Sequence, residues 1–333
     1  MWLSDLTQGL RQFPSFMRTA AKSSSVAKED RSGLIAGLAA FGTWGLIPVY
    51  WKLFVNISAT QILAHRFVWT TAFLVGLLSW QGRWPELRQA MRSRPALLYC
   101  LGSGLAISVN WFCFIWAVNV GRVIETSLGY FMTPLINVLF GATFLRERLT
   151  RWQLLSVLLA LAGVLNLTLG YGRFPWLAIT LCVSFGLYGL LRKKSGVRPI
   201  PGLFLETTLL TPIAAGYLVY LQSQGNAALN SGGWSMALLL ISTGIVTGLP
   251  LVWFGHAARH LRLTTLGFLQ YLSPSCSFFL GVFLYHEPFT RAHLITFTFI
   301  WVALLIFTAE AIWRWRSDRE REPLAESVAR AAH

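Results

Sequence analysis

Charged residues in this chain are separated by apolar windows long enough to cross a bilayer, among them residues 32–51, 95–121, 126–145 and 152–172. At 1.5 Å of rise per helical residue, about 20 residues cover roughly 30 Å of hydrocarbon. Ten such windows predict ten helices, near 33–51, 60–80, 96–117, 124–144, 152–170, 174–191, 202–221, 235–256, 263–284 and 293–313. The run from Thr207 to Ala258 has no charge, yet the polar, Gly-rich stretch SQGNAALNSGG divides it into two spans. The second helix is the weakest span, because His65 and Arg66 sit inside it. With 55% hydrophobic and 12% charged residues, a water-soluble fold is excluded.

A net charge of +15 on a soluble fold would point to nucleic acid, but here the basic residues sort by loop. The N-terminal tail, the loops after helices two, four, six and eight, and the C-terminal tail hold 23 of the 28 Lys and Arg. Basic residues in short loops stay on the cytoplasmic side, which predicts a multi-pass protein with both termini cytoplasmic and no nucleic-acid partner. The loops are too short for a nucleotide-binding domain. No P-loop, GxSxG, HExxH or acidic metal-binding cluster occurs, so neither ATP-driven transport nor enzymatic activity is expected. Cys100, Cys113, Cys182 and Cys276 all lie in apolar runs without CxxC or nearby His, so no metal, cofactor or disulfide framework is expected.

The chain repeats itself. Pro134, Gly141, Glu147, Thr150 and Arg151 recur at the same spacings as Pro274, Gly281, Glu287, Thr290 and Arg291. At the same offset Arg122 meets Arg262 and Gly104 meets Gly244; one residue further, Trp44-Gly45 meets Phe185-Gly186 and Lys52 meets Lys193. Five helices is an odd number, so the second copy inserts upside down, the arrangement used for alternating access. The expected organisation is a cytoplasmic tail at 1–32, a first repeat at 33–170, a second at 174–313 and a cytoplasmic tail at 314–333. Trp2, Leu6, Leu10, Phe13 and Met17 permit a surface-lying amphipathic helix in the first tail, with disorder the other reading.

Several stretches also carry a family resemblance: TWGLIPVYWKL (43–53), ILAHRFVWT (62–70), NWFCFIWAVN (110–119), ETSLGYFMTPLIN (125–137), FGLYGLLRKK (185–194), LRLTTLGFLQYLSP (261–274) and FIWVALLIF (299–307). Over about residues 33–313 the chain resembles the RarD group of the EamA family, in the drug/metabolite transporter superfamily. The resemblance implies an all-α protein with ten transmembrane helices in two EamA repeats. It also implies the bacterial inner membrane and export or permeation of small metabolites or drugs.

Ionisable groups inside a span are costly and are functional candidates by default. His65 and Arg66 on helix two and Glu125 at the start of helix four are read as an ion-paired gate or solute contact, with simple interfacial pairing as the other reading. Glu206, one turn into helix seven, is the repeat counterpart of His65, and the two are candidates for proton or charge coupling. Glu147 and Glu287 are read as surface pairs. Pro134 and Pro274 are hinge candidates, or else static bends, with Gly129 and Gly267 easing helix approach. Trp44, Tyr50, Asn110, Tyr130, Tyr188 and Gln270 are the candidate solute contacts, against the reading that mid-span aromatics only pack. Together these residues predict a secondary transporter of a small amphipathic solute, with protons as the candidate coupling ion and the lipid bilayer as surroundings; the oligomeric state is left open, with a monomer favoured. A non-transporting membrane receptor or scaffold of the same fold is the alternative.

Overall fold

The computed structural model describes residues 31–144, 149–171, 174–231, 233–261 and 269–331. The N-terminal tail, Arg146, Glu147, Arg148 and Gly267 therefore lie outside the described residues. The described chain is helical, with α1 Arg31–Lys52, α2 Ala59–Gln81, α3 Arg94–Asn119, α4 Val123–Phe144 and α5 Arg151–Tyr171. There follow α6 Trp176–Ser195, α7 Pro199–Ser223, α8 Gly233–His260, α9 Leu272–Phe279 and α10 Arg291–Ala331. Short helices Trp84–Met91 and Ala228–Ser231 lie in two of the connections. All but α9 are long and apolar enough to cross a membrane, which makes nine candidate spans among the described residues. The ninth predicted helix, 263–284, is seen as the shorter apolar stretch Leu272–Leu284, part of its expected length falling in 262–268.

Local chemistry sets the helix ends. Ser58 and Ser93 cap α2 and α3, each accepting a bond from the backbone N–H three residues on. Gly82 and Gly196 close α2 and α6 in the left-handed conformation, at φ 64° in each case. α10 runs on past the predicted stop at 313 to Ala331. No glycine follows its apolar part to stop it. Proline shapes α4 and α9 differently: Pro134 lies within a continuous helix, whereas helical structure breaks at Tyr271 just before Pro274 and ends in a π-turn at Leu280–Leu284. Each ring removes the bond to the carbonyl four residues back, that of Tyr130 and that of Gln270.

Packing follows a regular scheme, in which α3 and α4 lie against α6, and α8 and α9 lie against α1. α2 packs on α7 and α8, α3 on α7, α4 on α9, and α5 on α10. Lipid tails are as apolar as leucine, so helix association relies on close backbone approach at small residues. Gly104 on α3 meets the backbone of Glu206, where an added Cβ would lie 3.2 Å from its carbonyl oxygen. Gly45 meets Cys276 and Ser273 of α9, and Gly186 meets Ile136 and Asn137 of α4. A Cβ added to Gly244 on α8 would run into the carbonyl of Trp69 and lie 3.0 Å from the amide nitrogen of Thr70 on α2. Outward faces are apolar, as at Ile213 and Leu305, and Trp80 and Trp234 project at helix ends as interfacial residues do.

The contact at Gly244 is with backbone, which cannot turn aside. Gly244→Ala is therefore expected to cost about 1–3 kcal/mol of stability, as overpacking does, and to lower the melting midpoint in detergent. Gly76→Ala, with nothing within 4 Å of its added Cβ, should leave the midpoint unchanged; equal effects would contradict the close approach of α8 and α2.

Candidate functional site

α2 and α7 cross in contact, joined by a 2.8 Å hydrogen bond between the hydroxyls of Thr71 and Thr211. Each helix carries a buried charge seven residues from its own start, about 10 Å along the axis: Arg66 on α2 and Glu206 on α7. The helices run in opposite senses, so the two charges approach opposite ends of the bundle.

Glu206 is fully buried, with its partners gathered on Oε1 while Oε2 accepts no hydrogen bond from a described residue. The Ser103 hydroxyl donates to its Oε1 at 2.6 Å, and Nε of Arg192 stands 3.4 Å from the same oxygen. The phenol of Tyr188 lies beside the carboxylate. Arg192 comes from the last turn of α6, where its helix neighbours Lys193 and Lys194 are exposed. Its own side chain is turned inward and only 14% exposed.

Arg66 is treated differently. It is 6% exposed, yet it makes neither hydrogen bond nor ion pair with any described residue, and its Nε is sealed without a partner. The guanidinium lies 3.6 Å from the centre of the Trp111 ring and 5.2 Å from that of Trp51. The phenols of Tyr50 and Tyr130 are nearby. A desolvated cation–π contact contributes about 2 kcal/mol, against a cost of charge burial that reaches roughly 2.5–3.5 kcal/mol at a helix centre on the most lenient scale. The aromatic cage thus offsets part of the cost and leaves the charge unneutralised.

A chain of side chains joins the two ends. Tyr130 donates a hydrogen bond to Oδ1 of Asn110 at 2.9 Å, and Asn110 donates to the Leu181 carbonyl and the Ser184 hydroxyl. The Tyr130 ring meets Phe185 edge-on at 5.9 Å, and Phe185 lies 5.9 Å from Tyr188, beside Glu206. Tyr50 bonds to the Leu239 carbonyl and to Ser242 of α8. Four of the six candidate solute contacts, Tyr50, Asn110, Tyr130 and Tyr188, therefore lie along this line. Trp44 instead packs with Phe41 and Phe254. Gln270 stands at the α9 break, in no hydrogen bond with a described residue.

Two expectations require correction. Glu125 does not pair with Arg66 or His65; it forms a two-pronged pair with Arg122, both bonds 2.7 Å, at the start of α4. Arg122 is only three residues away on the same turn, whereas Arg66 is buried under tryptophan rings, so the expected three-residue gate does not form. Glu287 is not a surface pair either: its carboxylate accepts from the backbone N–H of Val123 at 2.7 Å and of Ile124 at 2.8 Å, capping α4. His286, at φ 50°, turns the chain back to make this possible. A cavity of about 250 Å³ lies here, lined by Arg122, Glu125, Leu167, Phe174, Glu287 and His293. It is peripheral to the line of aromatic and amide groups. Pro274 is held by the Ser127 hydroxyl, which donates to its carbonyl at 2.7 Å.

Sequence reasoning passed over Trp51, Ser103 and Arg192. Arg192 was absorbed into a run of loop bases, and the available signal was its position four residues after Tyr188, on the same helix face. Ser103 and Trp51 gave no signal beyond their place in apolar runs.

Stability should report the two buried partnerships asymmetrically. Arg192→Leu strands the Glu206 carboxylate and is expected to cost about 3–5 kcal/mol; Glu206→Leu costs less, because Arg192 stands near a helix end and can snorkel. A chemical-denaturation series with the double variant recovering most of the loss checks this, and equal single-variant costs would contradict it. At the α4 start, Glu287→Ala should cost about 0.5–2 kcal/mol as a lost cap, more than Glu125→Ala, whose partly exposed pair is worth about 0–1 kcal/mol. The reverse order in the same series would argue against the cap.

Comparison with known proteins places the chain. The profile of the EamA-like transporter family matches residues 31–169. The chain is 43% identical over 293 residues to the uncharacterized transporter YojE of Bacillus subtilis, covering 86% of this chain and 97% of that one. It is 42% identical to protein RarD of Escherichia coli, over 87% and 98% of the two chains. It is 32% identical to the chloramphenicol-sensitive protein RarD of Pseudomonas aeruginosa, over 82% and 92%. One solved crystal structure, 20% identical, shares the fold with a TM-score of 0.54, covering 85% of this chain and 98% of its own. A bundle of apolar helices with buried charges, and relatives of this identity over nearly their whole length, lead to one conclusion: the chain is a multi-pass membrane protein that belongs to the EamA-like transporter family, among its RarD relatives.

Proposed function

We propose that the chain is a secondary transporter of the RarD type, exporting a small amphipathic metabolite or drug across the bacterial inner membrane by alternating access. The observation that carries this reading is the exchange symmetry of the packing. Moving each helix five places along turns the pair α3–α6 into α8–α1, α4–α6 into α9–α1, and α3–α7 into α8–α2, all of which are in contact. α2–α7, α4–α9 and α5–α10 map onto themselves. The glycines follow the same rule: Gly45 faces α9 as Gly186 faces α4, and Gly104 faces α7 as Gly244 faces α2. An inverted pair of five-helix halves has these properties, and two such halves rock about a shared central site. The bias of basic residues among the loops supports cytoplasmic termini in this reading.

In this reading the solute lies between the halves, against Trp44, Tyr50, Asn110, Tyr130, Tyr188 and Gln270. Pro134 and Pro274 let α4 and α9 bend. His65 and Glu206, repeat counterparts near opposite mouths, govern charge or proton coupling. RarD of Pseudomonas aeruginosa is named for chloramphenicol sensitivity, which makes neutral aromatic drugs one class worth testing.

Counterflow in proteoliposomes, loaded in turn with amino acids, aromatic metabolites and chloramphenicol, tests the proposal. Saturable counterflow is expected for at least one compound, with a pH-gradient response that Glu206→Gln or His65→Ala weakens. Binding without flux would make the protein a receptor, and unsaturable flux without counterflow a channel.

A further inference from the structure

Along α2, buried polar atoms without a partner among the described residues include Nε2 of Gln61, both ring nitrogens of His65, Nε of Arg66, Nε1 of Trp69 and Oγ1 of Thr70. Trp69 and Thr70, three and four residues after Arg66, share its side of the helix, whereas Gln61 and His65 project from other sides. Nε1 of Trp51, whose ring faces the guanidinium, is likewise unpartnered. Groups that would ordinarily satisfy an arginine are committed elsewhere. Glu206 is held by Ser103 and Arg192, Glu125 by Arg122, and Glu287 by the α4 backbone. The Tyr50 and Tyr130 hydroxyls are engaged with Ser242 and Asn110. Buried donors are paired in folded proteins with few exceptions, and a mid-span cation is kept only with a counter-charge or a function.

We propose that Arg66 is the anchor of an anion-binding subsite, and that the solute carried is an amphipathic organic acid whose carboxylate lies against the guanidinium while its apolar body lies among Trp51, Trp111 and Tyr130. The inference rests on the transporter reading and gives its substrate a chemical class. A planar guanidinium binds a carboxylate through two parallel bonds, which an amide of the same shape cannot match. Nε1 of Trp69 and the Thr70 hydroxyl, three and four residues on from Arg66, are the further donors on the same side of α2. The same oxyanion chemistry occurs in anionic lipid headgroups, and the test separates the two sources.

The test uses matched probes, benzoate, phenylacetate and indole-3-acetate, each beside its neutral amide. Binding to the full-length protein is read in detergent by thermal shift and tryptophan quenching, and carriage by counterflow. At least one acid is expected to bind tenfold or more tightly than its amide. Arg66→Gln should abolish that preference while leaving amide binding within about threefold, and Arg66→Lys should keep part of it, since the charge remains and the planar fork is lost. Equal affinity for every acid and its amide, including no binding of either, overturns the proposal, as does an Arg66→Gln protein that keeps the preference. If Arg66→Gln does not fold, the acid-over-amide ratio in the wild type and its reduction, without full loss, in Arg66→Lys decide the matter. Stabilisation of the wild type, but not of Arg66→Gln, by nanodiscs of anionic lipid, with no effect of the organic acids, assigns the subsite to a headgroup and also overturns it. Acid binding without counterflow defeats the carrier reading and leaves the subsite standing; counterflow of neutral probes alone defeats the subsite and leaves the carrier.

Discussion

Inside hydrocarbon there is no water to complete a hydrogen bond, so each polar group must find its partner within the protein or keep the cost of lacking one. That constraint organises the whole molecule. It makes every spanning element a helix, and it draws the carboxylate of Glu287 onto the open backbone of α4. It explains why Asn110 is bonded at both ends of its amide and why Glu206 collects a serine and an arginine. Glycines perform the complementary task. They bring α3 onto α7 and α8 onto α2, so that Arg66 and Glu206 are buried between helices rather than turned to lipid.

Against this background the two buried charges are unlike. Glu206 belongs to a closed local set that keeps it neutral overall, as a structural or gating pair would be. Arg66 is enclosed by rings that stabilise a cation without cancelling it. The path between them through Tyr130, Phe185 and Tyr188 is continuous, and it runs along the seam where α3, α4 and α6 meet.

Much of the helical layout was legible because the rule that governs it, length of apolar run against bilayer thickness, acts on sequence alone. Helix positions agree to within a few residues for α1 to α8, including the division of the Thr207–Ala258 run. The continuation of α10 was missed, since apolarity marks where a helix leaves the membrane and says nothing about where it stops. Which residues carry the site was less legible. His65, Arg66 and Glu206 stood out as intramembrane ionisable groups, but their partners did not, because partnership depends on how helices rotate against one another. Arg192 looked like a loop base and is turned inward; Glu125 looked like a partner for Arg66 and is taken by Arg122. Glu287 was misread for a related reason, since capping requires knowing which helix start the loop returns to.

The central claim is that two interlocked halves tilt about the α2–α7 crossing, so that one end of the bundle opens as the other closes. Paired spin labels test it directly, with one pair at Asn56 and Asn226 across the end where α2 begins, and a second at Gln89 and Lys194 across the opposite end, all at exposed positions. Distances measured in lipid with and without a transported solute should change in opposite senses at the two ends. Both distances holding still, or both lengthening together as in a channel, would contradict the account.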